Sequence, residues 1–191
     1  MIGRTHDLAA LTSLVLVVSV NRPLTISLST LLLGLVANQI GGIIPDIDQP
    51  TAPFWRNLPI GNLFGKVFSK VSGGHRFITH SLLGVVLFGL AVRALLTFLS
   101  PLLGSTNLGY VWWSFMIGMV SHLIMDSLTK EGVPLLLPFS WHFGLPPLKA
   151  FRITTGKKVE QFIVFPGLLV LCALLFIANR SYIIQLLHTT K

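Results

Sequence analysis

At 191 residues the chain is long enough for one domain, and its 52% apolar and 10% charged residues, with a mean hydropathy of +0.78, exclude an ordinary soluble globule. The net charge of +8 comes from fourteen Lys and Arg scattered through connections with no DNA- or RNA-binding module around them, so membrane lipids rather than nucleic acid are the expected partners. A single cysteine, Cys172, inside an apolar run excludes an internal disulfide framework.

Five apolar segments follow in chain order: 8–20, 27–44, 81–103, 110–129 and 161–178. A spanning helix needs about 20 mostly apolar residues. The third and fourth segments meet that length, and the second and fifth come close. The first is short and reaches across only by recruiting residues 5–7 and 21–24, while Arg93 interrupts the third before its end. The start lacks the charged stretch and small-residue cleavage site of a removable signal peptide, so the first segment is read as retained. The expected fold is all-α, a membrane-embedded bundle of about four to five transmembrane helices forming a single domain over residues 1–191.

Two long polar connections, 49–79 and 130–160, carry nine of the fourteen basic residues. Cytoplasmic loops are enriched in Lys and Arg, so both connections are expected on the cytoplasmic side of the membrane, with turns 21–26 and 104–109 opposite. Tyr110, Trp112, Trp113 and Trp141 fall near the predicted boundaries, as interfacial anchors do. This topology brings His6, Asp46, His80 and Asp126 to helix ends at one membrane face.

These residues belong to four stretches that hold most of the ionisable chemistry: Thr5-His6-Asp7, Pro45-Asp46-Ile47-Asp48, His75-Arg76-Phe77-Ile78-Thr79-His80, and Ser121-His122-Leu123-Ile124-Met125-Asp126. Placing imidazoles and carboxylates beside greasy segments is costly unless they share a partner, most simply a divalent metal. His6 opens the first segment, where a terminal histidine is usually polar punctuation. Pro45 ends the preceding helix, and an extended backbone after it would point Asp46 and Asp48 the same way. The plainer reading of that pair is a solvated turn.

His75 and His80 are five apart, about 140° around a continuous helix, so they share no helix face. Gly73-Gly74 suggests a flexible approach at His75, with Thr79 or a neighbour capping the next helix and His80 pointing back. Arg76 is placed to hold a phosphate or carboxylate oxygen, or else a lipid headgroup. His122 and Asp126, four apart, stack on one face and can grip one ion; alone, they read equally as helix-end hydrogen-bonding groups. His142 and His188 have no neighbours at ligand spacing. The basic and aromatic run 139–158 has the composition of a substrate-binding or a membrane-surface loop.

The ordered combination of His6, Ile44-Pro45-Asp46-Ile47-Asp48, His75-Arg76-x-x-Thr79-His80-Ser81-Leu82-Leu83, and Ser121-His122-x-x-x-Asp126-x-x-Thr129-x-x-Gly132-Val133-Pro134-Leu135-Leu136 resembles the YdjM family. The resemblance covers residues 5 to 160 and includes Gly156 and Glu160. It implies a LexA-regulated, inner-membrane, metal-dependent hydrolase, grouped distantly with zinc-dependent phospholipase C and single-strand-specific nucleases. The chain departs from the family pattern at Gln49, where relatives often carry His, and at Phe77, where they often carry Gly.

The expected function is therefore a multi-pass hydrolase acting on a phosphoester of a small molecule or lipid. His6, Asp46, Asp48, His75, His80, His122 and Asp126 are the expected metal ligands. Mixed imidazole and carboxylate donors favour zinc, with manganese or iron also compatible. Asp48 or Asp46 would accept a proton from metal-activated water, and Arg76 would steady the oxyanion. The rival from another class is a non-catalytic membrane protein whose metal or ion-pair cluster ties helix ends together. An ion or proton transporter ranks behind both, because the groups gather at one face instead of crossing the bilayer.

Overall fold

The computed structural model describes residues 1–52, 55, 59, 61–71, 76–139 and 141–189. Its helices are α1 (Gly3–Asn21), α2 (Leu28–Ile43), α3 (Gly61–Val71), α4 (Leu82–Leu99), α5 (Leu108–Ser127), α6 (Phe165–Ala178) and α7 (Arg180–Thr189). A 3-10 turn, Ile44–Asp48, extends α2, and a π-helical turn, Glu160–Val164, leads into α6. The described residues form no strand longer than two isolated bridges. The all-α expectation is met.

Local chemistry sets the helix starts. Ser27, Ser81 and Asn107 precede α2, α4 and α5, and each side chain accepts a backbone N–H three residues on, from Thr30, Gly84 and Tyr110. These bonds satisfy orphan donors of the first turn. The cap of α4 is thus Ser81, which leaves the Thr79 hydroxyl available for the site.

Among the described residues, four helices are long and apolar enough to cross a membrane: Leu28–Asp48, Leu82–Leu102, Leu108–Ser127 and Glu160–Ala178. Helix α1 is not among them. It lies against α2, α5 and α6 with Thr5, His6, Ala9, Ala10, Thr12 and Leu14 buried. The bundle is organised around α5, half of which is buried, whereas only 11% of the α4 span and 6% of the α6 span are. Val86, Leu87 and Leu90 of α4 and Leu169, Val170 and Leu174 of α6 are exposed. A continuous apolar exterior of this kind is stable against lipid and a liability in water.

Helices α2 and α5 meet backbone to backbone. A Cβ added at Gly41 would strike the Phe115 carbonyl, and one added at Gly118 would strike the Asn38 carbonyl. Small residues allow such approach, and packing of this closeness is what holds helices together where lipid is as apolar as the side chains. Asn38, wholly buried, donates from Nδ2 to the Ser114 carbonyl at 3.1 Å across the same contact. Helices α2 and α5 end, and α4 and α6 begin, at one end of the bundle, so both long connections gather there.

Candidate metal centre

At that end, Asp46, His80, His122 and Asp126 bring one ligand atom each within 4.8 Å of one another. Each comes from a different local device. His122 and Asp126 occupy successive turns of α5, with Nε2 3.8 Å from Oδ2. His80 stands just before the Ser81 cap of α4, its Nε2 3.6 Å from Asp126 Oδ2 and 3.6 Å from Asp46 Oδ1. Asp46 projects from the 3-10 turn, its Oδ1 3.6 Å from His122 Nε2.

These separations exceed a hydrogen bond, which for N–H···O spans about 2.7–3.2 Å. They approach the edge of a tetrahedron, roughly 3.4 Å for metal–ligand bonds of about 2.0–2.2 Å. The donor chemistry agrees. His122 Nδ1 donates to the Gly42 carbonyl at 2.6 Å, which leaves a lone pair on Nε2, and that buried atom has no hydrogen-bond partner. His80 Nδ1 meets Thr79 Oγ1 at 2.9 Å, and the Thr79 hydroxyl in turn donates to Asp48 Oδ2 at 2.5 Å. That chain fixes the His80 ring and turns its Nε2 toward the cluster. The four residues fit a divalent cation.

Asp48 lies outside the four. Fully buried, its Oδ2 accepts the Arg76 backbone N–H at 2.8 Å as well as the Thr79 hydroxyl. The sequence reading had the two aspartates parallel on an extended backbone; instead Pro45 opens a 3-10 turn, for which its fixed φ is suited. Side chains two apart then diverge, and Asp46 and Asp48 approach His80 from opposite ring nitrogens, at 3.6 Å each.

His6 also stands beside the group. Its ring stacks on His122 with centroids 3.7 Å apart, and its Nε2 lies 3.2 Å from Asp126 Oδ1, the oxygen that also pairs with the Met1 amine. Arg76 adopts a left-handed backbone, φ 60°, rare for a residue with a Cβ. Its Nη2 meets Asp126 Oδ2 at 2.7 Å, and its Nη1 donates to Thr129 Oγ1 and the Gly132 carbonyl, both at 3.2 Å. As placed, Arg76 neutralises Asp126. His75 lies outside the described residues, and Gln49 is exposed.

Burial opposes a charged His80, but its contacts with Asp126, Asp46 and Asp48 outweigh that and raise its pKa to about 10. Without a metal, a proton on His80 offsets the clustered carboxylates, and a divalent cation held there would displace it.

The roles of three groups are visible only in the fold. The Gly42 carbonyl and the Thr79 hydroxyl orient the two imidazoles, and neither a carbonyl nor a helix-start threonine carries a signal of that role. Glu160, fully buried, accepts the Ile2 N–H and the Gly156 N–H at 2.7 Å each, and so clamps the start of α1 to the connection before α6. Gly156 takes a positive φ of 73°, which suits a residue without a Cβ.

Residues 1–186 match the family described as YdjM inner membrane protein. The chain belongs to the YdjM family. It is 35% identical over 128 residues to inner membrane protein YdjM of Escherichia coli (strain K12), covering 63% of this chain and 56% of that protein. It is also 32% identical over 149 residues to the uncharacterized protein YvsG of Bacillus subtilis (strain 168), covering 78% of this chain and 77% of that protein. The chain thus spans little more than half the length of the YdjM proteins it matches. No solved structure matches it. Membership in this family and four apolar spans agree on a multi-pass inner-membrane protein.

Proposed function

We propose that this family member is a metal-dependent hydrolase of phosphoesters, with Asp46, His80, His122 and Asp126 holding one divalent ion, zinc by the mixture of imidazole and carboxylate donors. The observation that carries it is the convergence of four donor atoms within 4.8 Å in a buried pocket, with the lone pair of His122 Nε2 aimed inward. Such an ion, when bound, lowers the pKa of a coordinated water from about 15.7 toward 7 and polarises a phosphoryl oxygen.

The chain's residues divide the remaining work. Asp46 keeps 25% of its side chain exposed while its three companions have none, so the approach for water and substrate is on its side. The Asp46 oxygen not engaged with the ion would be the group that accepts the proton from a water approaching on that side. Asp48, its Oδ2 committed to Arg76 and Thr79, positions His80. Arg76 neutralises Asp126 and stands by for a phosphoryl oxygen once that carboxylate is drawn to the ion. His6 supports Asp126 from Oδ1 and would take part in a second ligand shell.

The burial of three of the four residues favours one other reading, a closed structural metal or ion-pair cluster that ties helix ends together. Turnover separates the two. Detergent-purified protein loaded with zinc should hydrolyse a chromogenic phosphodiester or a phospholipid. Activity should vanish on chelation, return with zinc, and fall at least about a hundredfold in His122→Ala, since even groups behind a metal ligand are worth 10–100-fold. Bound metal without turnover on phosphoester, ester or amide substrates would establish the structural cluster instead.

We further propose that the centre faces the cytoplasm, because the two connections at its end carry nine of fourteen basic residues. Single cysteines at Lys66 and Lys157, both exposed, should then be labelled only from the cytoplasmic side, against a low background from buried Cys172. Labelling of the two from opposite sides would break the shared-face topology.

A further inference from the structure

Beyond the C-terminal end of α5 lies an open groove of about 540 Å³ whose lining includes Lys130, Phe151, Arg152, Lys157, Lys158 and Val159. Four of these are cations and no acid lines the groove. Two carboxylates adjoin it in sequence: Glu131, 3.9 Å from Arg76 and 3.5 Å from Thr155 Oγ1, and Glu160, buried and accepting the Ile2 and Gly156 N–H groups at 2.7 Å each. The groove's walls are fixed to each other: Ile153 N–H donates to the Leu128 carbonyl at 2.9 Å, and Lys130 N–H returns to the Ile153 carbonyl at 3.0 Å. Arg152 is held in place by donating from Nε and Nη2 to the Pro146 and Pro147 carbonyls, at 2.8 and 3.0 Å.

The position of the groove is set by the spans. Lys130 follows the span Leu108–Ser127 by three residues, and Lys157, Lys158 and Val159 directly precede the span Glu160–Ala178. The cations therefore stand where hydrocarbon gives way to headgroups. Phe151, Leu148 and Trp141 are 74%, 65% and 70% exposed on the same connection, and Phe162 and Ile163 are 72% and 66% exposed at the start of the span. Exposed aromatic and aliphatic side chains flanking fixed cations at this depth have lipid as their natural neighbour.

We propose that this groove binds the phosphate of an anionic glycerophospholipid, with Lys130, Lys157 and Lys158 as the charge-bearing contacts and Phe151 and Val159 against the glycerol and upper acyl carbons. A net-negative headgroup is favoured over a zwitterionic one, because four cations line the groove and the two adjoining carboxylates, Glu131 and Glu160, leave it with a net positive charge. Binding here requires no hydrolysis, so this inference and the proposed function stand or fall separately.

The probe is dioleoyl phosphatidylglycerol titrated into the detergent-purified full chain and followed by native mass spectrometry. Dioleoyl phosphatidylcholine, glycerol 3-phosphate and inorganic phosphate serve as the comparison ligands. Phosphatidylglycerol should bind at least about tenfold tighter than phosphatidylcholine, and Lys130→Ala/Lys157→Ala/Lys158→Ala should remove that preference. Lys157→Arg/Lys158→Arg should retain it, and the thermal unfolding midpoint should stay unchanged in both variants, which shows that the fold survives. Equal binding of the two lipids, or an unchanged preference in the triple variant, would overturn the site. Displacement of phosphatidylglycerol by millimolar glycerol 3-phosphate or inorganic phosphate would overturn the lipid assignment in favour of a soluble phosphate.

Discussion

Asp126→Asn is expected to empty the centre. Asp126 faces four neighbours at once: Oδ2 faces His80 at 3.6 Å, His122 at 3.8 Å and Arg76 at 2.7 Å, while Oδ1 faces His6 at 3.2 Å. Asparagine keeps the shape and removes the charge. Zinc affinity should fall by more than about a hundredfold, because outer groups alone account for 10–100-fold and Asp126 is an inner ligand. Arg76, only 11% exposed, then loses its counter-charge, and breaking a buried pair from one side costs about 3–5 kcal/mol. Metal content per chain and thermal unfolding of the detergent-solubilised protein measure both effects. Full zinc occupancy in the variant would remove Asp126 from the ligand set.

Gly118→Ala should damage the site from a distance. Its added methyl meets the Asn38 carbonyl at the α2–α5 contact, where the surrounding backbone has no room to yield. Forcing an extra carbon into such a contact costs about 1–3 kcal/mol. The consequence reaches the chemistry because Gly42, whose carbonyl holds His122 Nδ1 at 2.6 Å, lies one turn beyond Asn38 on α2, and Asp46 one turn beyond Gly42. Separation of the two helices stretches that bond and withdraws Asp46 from His122. Lower thermal stability together with weaker zinc binding is expected. Gly167→Ala on α6, where an added Cβ meets nothing within 4 Å, should change neither.

Much of this arrangement was legible in the sequence because membrane chains advertise themselves. Apolar length set the helices, and the 3.6-residue period put His122 and Asp126 on one face before any fold was known. The antiparallel order of spans then brought Asp46 and His80 to the same end. What stayed hidden was set by contacts between elements. The helix-breaking expectation at Pro45 missed that proline also starts a helical turn well, and that single choice of backbone separates Asp46, in the cluster, from Asp48, behind His80. The stacking of His6 on His122 depends on how α1 lies in the groove between α2 and α5, for which its short apolar stretch gave no register. Arg76 was expected to hold a phosphate or carboxylate oxygen or a lipid headgroup, but nothing in its own segment announced Asp126, fifty residues away, as that carboxylate.

The account rests on one ion held among four side chains. Anomalous scattering at the zinc edge, collected from crystals of the zinc-loaded protein, tests it most directly. A single strong peak should lie within about 2.0–2.2 Å of His80 Nε2, His122 Nε2 and an oxygen each of Asp46 and Asp126. Crystals grown with excess zinc that show no peak there, or a peak held by other residues, would contradict it.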